Sequence, residues 1–201
     1  MKRQTEPKRP LSIAAATTAT APRLLRSVVL VGMMGSGKTA IGRALAARLG
    51  ALFIDSDSEI EAAANASIAE IFARDGEAFF RNREAEVIAR LLSGPPCVLS
   101  TGGGAFVQPG NRTAIAARGV SLWLDADIDT LWDRVRQKET RPLLRTPDPR
   151  GTLVALFEAR VPLYRLADLH LKVEPSHAIS ETATRALALL ASRPDVIETP
   201  K

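Results

Sequence analysis

The fold of this chain is decided by the stretch Gly32-Met33-Met34-Gly35-Ser36-Gly37-Lys38-Thr39. It matches the pattern G-x-x-x-x-G-K-[ST], in which a glycine-rich loop between a strand and a helix cradles phosphates. Residues 28–31 are apolar and rich in β-branched side chains, which predicts a buried strand. Residues 40–49 predict a helix that Gly50 ends. The sequence therefore predicts a phosphate-binding strand–loop–helix unit, and the alternative is a glycine turn that opens an ordinary helix.

Each residue type in this P-loop stretch suits a bound phosphate chain. Side chains at the three glycines would keep the backbone away from the ligand. Lys38 would place its ammonium on the β- and γ-phosphates, and Thr39 would offer its hydroxyl to Mg²⁺. The positive end of the following helix favours the same anion. We predict that the phosphates bind to the backbone N–H groups of Gly35, Ser36, Gly37, Lys38, Thr39 and Ala40.

Composition limits the classes of protein that this chain can be. Its 201 residues suit one α/β domain, and a single cysteine, Cys97, excludes a disulfide framework within the chain and a zinc cluster. The net charge is +5, but residues 1–26 hold six basic residues and one acidic residue, and the other 21 basic and 21 acidic residues balance. We therefore expect no nucleic-acid partner. Every apolar run is shorter than the roughly 20 residues that cross a bilayer, so we expect no membrane association.

The two ends of the chain differ in composition from its middle. Residues 1–26 are rich in Ala, Thr, Pro and Arg, which predicts a disordered tail, and the alternative is an organelle transit peptide. We assign the folded domain to residues 27–192 and a C-terminal tail to residues 193–201. The expected location is the cytoplasm, and the expected state is a monomer.

Strands and helices alternate along the domain, which predicts an α/β fold with a parallel sheet covered by helices on both faces. The predicted strands span residues 28–31, 51–54, 97–100, 120–124 and 169–173. The predicted helices span residues 40–49, 58–64, 67–74, 76–92, 111–118, 129–138, 152–166 and 180–191. Because ligands of such sheets bind beyond the carboxyl ends of the strands, the P-loop and the polar residues after the other strands should share one cleft.

Two carboxylates follow the second predicted strand. Alternate residues of an extended segment project to the same side, so Asp55 and Asp57 can both face the cleft. One carboxylate could hold Mg²⁺ through water, and the other could orient and deprotonate an attacking hydroxyl. The alternative is a loop pair in which one Asp caps the next helix.

Three consecutive glycines, residues 102–104, follow the third predicted strand. Since glycine costs chain entropy, such a run indicates close approach by another group, or else a tight turn. Ser100 and Thr101 stand where other P-loop enzymes carry an acidic metal ligand. A metal ion would therefore rely on Thr39, Asp55 and phosphate oxygens.

Two arginines occur beside apolar residues on predicted helices. Arg81 follows Phe80, and Arg160 precedes Val161. Arginines in such places either pair with an acid or face an anionic ligand. Taken singly, each is better explained by a structural ion pair, and Glu77 and Glu84 are available to Arg81.

A Pro- and Arg-rich segment lies between two predicted helices and suits a mobile lid over residues 137–150. A phosphoryl-transfer enzyme must exclude water from its site. An arginine such as Arg141 could also neutralise charge on the transferring group. The alternative is a solvated loop.

Taken together, these motifs resemble those of the shikimate kinase family, from about residue 27 to about residue 190. The P-loop alone is shared by many enzymes, whereas the combination is specific. The matching pieces are the P-loop and residues 53–57, 71–72, 76–77, 80–81, 102–104, 141–144 and 160–164.

The resemblance implies a three-layer αβα fold like that of nucleoside monophosphate kinases, with a five-stranded parallel sheet. It also implies ATP-dependent phosphorylation of the shikimate 3-hydroxyl, on the route to chorismate and aromatic amino acids, with Mg²⁺ as cofactor. It assigns phosphate binding and catalysis to Lys38, metal binding to Thr39 and Asp55, and ring-hydroxyl binding and base catalysis to Asp57. It assigns the substrate carboxylate to Arg81 and Arg160, the pocket wall to Gly103 and Gly104, and the nucleotide and lid to Arg134 and Arg141.

Two other functions stay open at this point. A related small-molecule kinase, such as one acting on gluconate, would share the P-loop, Mg²⁺ and lid but need not contain Arg81, Arg160 and the triple glycine together. A catalytically inactive binding module would be expected to have lost part of the site, and here the site residues are all present.

Overall fold

The computed structural model describes residues 22–136 and 142–198. The strands are β1 (Arg23–Leu24), β2 (Ser27–Val31), β3 (Leu52–Asp55), β4 (Cys97–Ser100), β5 (Gly119–Asp125), β6 (Leu169–Lys172) and β7 (Ile197–Glu198). The α-helices are α1 (Lys38–Leu49), α2 (Ser56–Ala64), α3 (Ile68–Leu92), α4 (Pro109–Arg118), α5 (Ile128–Val135), α6 (Pro149–Tyr164) and α7 (Ile179–Ala191). Two short 3₁₀ helices span Ala105–Val107 and Pro142–Leu144.

The central sheet has five parallel strands in the order β3-β4-β2-β5-β6. Strand β2 lies in the middle, with Val28 opposite Val98 of β4 and opposite Val120 of β5. Every residue of β2 is buried, as expected of a strand covered on both faces. The predicted fold class, a parallel sheet with flanking helices, is confirmed.

The helices cover the sheet in packed pairs. Helix α1 packs against α7, α3 packs against α4, and α5 packs against α6. The core includes Tyr164, Leu30, Leu99 and Leu122, all fully buried. None of the described helices has the length and apolarity needed to cross a membrane.

Helix boundaries follow local chemistry. Gly50 ends α1 in a left-handed conformation with φ 58°. Ser67 and Glu70 form a capping box at the start of α3, with hydrogen bonds of 3.2 and 2.7 Å. The sequence predicted two helices here, and α3 does contain two helical segments, which meet at Gly76, where φ is 83° and ψ is 170°. Glycine alone adopts that φ at little cost, so the break falls at this residue.

Both expected tails contribute to the fold, which corrects the boundaries 27–192. Strand β1 pairs antiparallel with β7, so that Leu24 lies opposite Ile197. Leu24 is 8% exposed and Ile197 is 2% exposed. Composition missed this pair because burial of two short apolar stretches depends on their meeting in space. Residues 1–21, residues 137–141 and residues 199–201 lie outside the described residues, and Arg141 is among them.

Candidate active site

The P-loop joins β2 to α1, as predicted. Its glycines are required by the conformation and packing of the protein backbone itself. Gly32, Gly35 and Gly37 have φ of 138°, 84° and 94°, angles that other residues rarely adopt. A Cβ atom on Gly32 would lie 2.8 Å from the carbonyl oxygen of Leu124. The glycines therefore form the loop conformation itself, besides leaving room for a ligand.

The Lys38 ammonium folds back over this loop. Its Nζ donates hydrogen bonds of 2.9 Å to the carbonyl oxygens of Gly32 and Met33. Lys38 is 8% exposed. The Ser36 hydroxyl is buried and has no hydrogen-bond partner among residues 22–136 and 142–198. A buried donor of this kind is suited to an anion held inside the loop.

Oxygen atoms from the start of α1 and from the ends of β3 and β4 meet beside the P-loop. The Thr39 hydroxyl donates to Oδ2 of Asp55 at 2.9 Å and lies 3.5 Å from Oγ of Ser100. Thr101 instead bonds to the carbonyl oxygen of Leu30 at 2.9 Å, which ties β4 to β2. Hard oxygen donors beside a phosphate loop are what Mg²⁺ prefers.

Asp55 and Asp57 both face the cleft, but the expected reason was wrong. Strand β3 ends at Asp55 and α2 begins at Ser56, so Asp57 lies in the first turn of a helix and is not part of an extended segment. Oδ1 of Asp55 accepts from the backbone N–H of Asp57 at 3.1 Å. Asp55 therefore caps α2 with one oxygen, as one alternative for this pair had it, and faces Thr39 with the other.

A first cavity of about 610 Å³, here called the P-loop cavity, opens over these residues. On one side it is lined by the P-loop, Asp55, Asp57 and Arg134. Nη1 of Arg134 donates to the carbonyl oxygen of Gly35 at 3.3 Å, which places this arginine of α5 against the loop. The far wall, which sequence reasoning missed, is formed by Val173, His177, Ile179 and Thr182. The rule that sites lie beyond strand ends could have found it, since these residues follow β6.

A second cavity of about 460 Å³, here called the arginine cavity, adjoins the first. It is lined by Met34, Asp57, Glu61, Ser67, Ile68, Ala69, Phe72, Phe80, Arg81, Glu84, Gly102, Gly103, Gly104, Leu143, Arg145 and Arg160. The two cavities share Met34, Asp57, Gly102 and Gly103. A group bound in one cavity can therefore reach a group bound in the other at Asp57.

The triple glycine is required because functional side chains pack directly on it. A Cβ atom on Gly102 would lie 2.8 Å from Oδ1 of Asp57, and one on Gly104 would lie 2.5 Å from the Arg81 guanidinium nitrogens. A Cβ atom on Gly103 would lie 3.6 Å from Nη1 of Arg160. The glycine run thus allows close approach by other groups, which is one of the two alternatives that the sequence left open.

Arg81 forms the ion pairs that the sequence offered as one alternative, and it also lies at a cavity. It pairs with Glu77 at 2.9 Å and with Glu84 at 2.8 Å, and it also lines the arginine cavity. Burial disfavours the charge of Arg81, but the two carboxylates outweigh it and raise its pKa. Burial raises the pKa of Glu84, a fully buried residue that the sequence offered only as an ion-pair partner.

Arg160 lies on α6 and is 8% exposed. None of the ion pairs in the described parts of the chain involves Arg160. Its neighbour Tyr164, which sequence reasoning missed, is fully buried and donates a hydrogen bond to the carbonyl oxygen of Gly103. A buried guanidinium at a cavity wall is suited to an anionic ligand.

Comparisons with known proteins point to one family. The family model "Shikimate kinase" matches residues 34–191. The shikimate kinase of Ruegeria pomeroyi is 64% identical over 178 residues, which cover 89% of this chain and 91% of the relative. The shikimate kinase of Cereibacter sphaeroides is 62% identical over 177 residues, or 88% of each chain.

Solved structures agree with the sequence comparison. The shikimate kinase from Acinetobacter baumannii in complex with shikimate superposes with a TM-score of 0.78 at 38% identity, covering 87% of this chain and 95% of that one. A gluconokinase from Sinorhizobium meliloti superposes with a TM-score of 0.57 at 19% identity, covering 85% and 94%. The gluconokinase therefore shares the fold alone.

Proposed function

The chain belongs to the shikimate kinase family, and on that premise we propose how its two cavities carry out the reaction. The enzyme uses ATP to phosphorylate shikimate, at the 3-hydroxyl, and releases ADP and shikimate 3-phosphate. ATP occupies the P-loop cavity and shikimate the arginine cavity. The observation that carries this assignment is that the two cavities meet at Asp57, Gly102 and Gly103. A reaction without a covalent enzyme intermediate needs that contact.

The P-loop holds the triphosphate. Its phosphates bind to the backbone N–H groups of residues 35–40, with the positive end of α1 directed at them. Lys38 exchanges the carbonyl oxygens of Gly32 and Met33 for phosphate oxygens, and Arg134 lies beside the same chain. An ammonium there stabilises charge that develops during transfer.

The residues beside the P-loop fit a magnesium ion. Thr39 and Asp55 offer oxygen ligands 2.9 Å apart, and Mg²⁺ commonly takes one or two protein oxygens together with phosphates and waters. When bound, the ion neutralises charge on the phosphate oxygens. Thr39 and Asp55 would then separate enough to face the ion.

The arginine cavity holds the acceptor. Arg81 and Arg160 bind the carboxylate of shikimate, and Gly103 and Gly104 leave room for the ring. Asp57 accepts a hydrogen bond from the reacting hydroxyl. That oxygen forms a bond to the γ-phosphorus, the bond from phosphorus to the bridging oxygen of ADP breaks, and the hydroxyl proton passes to Asp57. The family motif assigns Arg141 to the transferring phosphoryl group, and this residue lies outside the described part of the chain.

Three further proposals concern the protein as a whole. The catalytic unit lies between residues 22 and 198, the protein acts in the cytoplasm, and it is a monomer. Light scattering of the purified chain measures its mass directly. A dimer mass would contradict the last proposal.

The reaction is tested by measuring ADP release with and without shikimate, with gluconate as the comparison acceptor. We expect ADP release that depends on shikimate and not on gluconate. Lys38→Ala should lower kcat by about 100-fold or more, the size of effect seen when a transition-state charge partner is removed. ADP release driven by gluconate, or equal with no acceptor, would contradict the proposed function.

A further inference from the structure

The arginine cavity contains a third guanidinium beyond the two that bind the carboxylate. Arg145 lines this cavity together with Arg160 and Leu143. It follows the 3₁₀ helix Pro142–Leu144 and is an exposed residue. An exposed residue that also lines a cavity lies at its rim, where an incoming ligand passes.

The backbone on both sides of Arg145 is fixed to the rest of the domain. Leu144 is buried in the core. Thr146 and Thr152 are joined by a hydrogen bond of 2.8 Å between their hydroxyls. Asp148 caps α6 by accepting from the backbone N–H of Gly151 at 2.8 Å. Because α6 also carries Arg160, the backbone near Arg145 is held to the same helix as Arg160.

The charges of the cavity wall make a third cation useful. The described lining contains three carboxyl groups, on Asp57, Glu61 and Glu84, and three guanidiniums, on Arg81, Arg145 and Arg160. Without Arg145, this lining would hold three carboxyl groups and two guanidiniums. One of those two guanidiniums, that of Arg81, already pairs with two glutamates. A wall of that charge repels an acceptor that is itself an anion.

We propose that Arg145 is a specificity-determining residue that favours a carboxylate-bearing acceptor over a neutral one, an inference that rests on the proposed function. It contributes electrostatic attraction to the acceptor carboxylate at the cavity rim. Arg81 and Arg160 hold the same carboxylate deeper in the cavity. The selectivity of the enzyme for an anionic acceptor then depends partly on a residue outside the motifs that define the site.

The test compares shikimate with its methyl ester, in which a small added group removes the charge of the carboxylate. Dissociation constants are measured by calorimetry for the full chain, Arg145→Ala and Arg145→Lys. Arg150→Ala is the matched control, because Arg150 lies in the same segment, is exposed and pairs with Asp129 at 3.0 Å. We expect Arg145→Ala to weaken shikimate binding about three- to fivefold, as for a solvent-exposed ion pair. Binding of the ester should stay unchanged, Arg145→Lys should restore most of the loss, and Arg150→Ala should leave both constants as they are.

Two results for Arg145→Ala would overturn the inference. Equal weakening of acid and ester would show that Arg145 only supports the shape of the cavity. Unchanged binding of shikimate would show that Arg145 does not sense the carboxylate. If the unmodified chain failed to bind shikimate, the proposed function would fail as well, and that result is seen before any variant is made.

Discussion

The Tyr164 hydroxyl donates a hydrogen bond to the backbone carbonyl oxygen of Gly103 and lies 3.8 Å from Sδ of Met33. Gly103 belongs to the wall that both cavities share, and Met33 belongs to the P-loop. Trp123 stacks on Tyr164 with 6.2 Å between ring centroids. One buried side chain therefore holds the wall shared by the two cavities and the P-loop against the same core.

Tyr164→Phe removes this hydrogen bond and keeps the ring. We expect a loss of about 1 to 2 kcal/mol in the free energy of unfolding, because the Gly103 carbonyl oxygen loses its donor. The KM for shikimate should rise more than the KM for ATP, since Gly103 lies beside Arg160. Urea unfolding and steady-state kinetics measure the two effects. Unchanged stability together with unchanged KM values would remove Tyr164 from this role.

The same hydroxyl gives a prediction about pH. Burial raises the pKa of Tyr164 to about 12, against an ordinary value of 10, and Arg160 opposes part of that rise. A raised pKa means that the fold favours the protonated hydroxyl. Its contribution to stability is therefore complete below pH 10 and is lost as the pH rises from 10 towards 12.

Tyr164 is the only tyrosine in the chain, so ultraviolet absorbance of tyrosinate reports this residue alone. The folded chain should titrate near pH 12 and the denatured chain near pH 10. Tyr164→Phe should show no such signal. A folded chain that titrates like the denatured one would mean that the hydroxyl is open to water.

The features that sequence predicted are those whose signal is local. The P-loop is a contiguous pattern, and the five strands of the central sheet are apolar runs long enough to recognise. Asp55 and Asp57 were placed in the cleft because strand ends meet at one edge of a parallel sheet. That rule holds even though Asp57 lies on a helix.

The features that sequence missed depend on residues that are distant along the chain. The bond from Tyr164 to Gly103 joins residues 61 positions apart, and Leu24 meets Ile197 across almost the whole chain. Nothing in the local pattern of either residue indicates its partner. The role of Arg81 could not be decided either. Only the packing of the folded chain shows that this arginine pairs with a glutamate and lines a cavity at the same time.

Gly104→Ala tests the contact between the glycine run and Arg81. The backbone of Gly104 has φ of −97°, so an alanine is not strained there, but its Cβ would lie 2.5 Å from the Arg81 guanidinium. We expect the KM for shikimate to rise about tenfold or more and the KM for ATP to change little, since a displaced guanidinium loses its hydrogen-bond geometry. Gly110→Ala is the control, because no atom lies within 4 Å of its added Cβ. Similar kinetics for the two variants would contradict the steric argument.

Asp57→Asn separates acceptor activation from nucleotide binding. The amide keeps the size of the side chain but cannot take the hydroxyl proton. We expect kcat to fall by about 100-fold or more, which is the range for general-base catalysis, while calorimetry shows nearly unchanged ATP affinity. Asp55→Asn serves as the comparison and should weaken the dependence on Mg²⁺ instead. Loss of ATP binding in Asp57→Asn would move this residue to the metal site.

Leu24→Ala tests whether the paired chain ends belong to the folded domain. Leu24 is 8% exposed and faces the core, whereas its neighbour Leu25 is 40% exposed. Leu24→Ala should lower the free energy of unfolding by about 2 kcal/mol, the lower end for a truncated buried leucine, because this two-residue strand lies at the edge of the core. Leu25→Ala should cost less than about 0.5 kcal/mol, as expected of a surface position. Chemical unfolding measures both, and kcat and KM should stay unchanged in each variant because neither residue lines a cavity. Equal unfolding free energies for the two variants would mean that burial of the Leu24 side chain adds nothing to stability, which would contradict its place in the core.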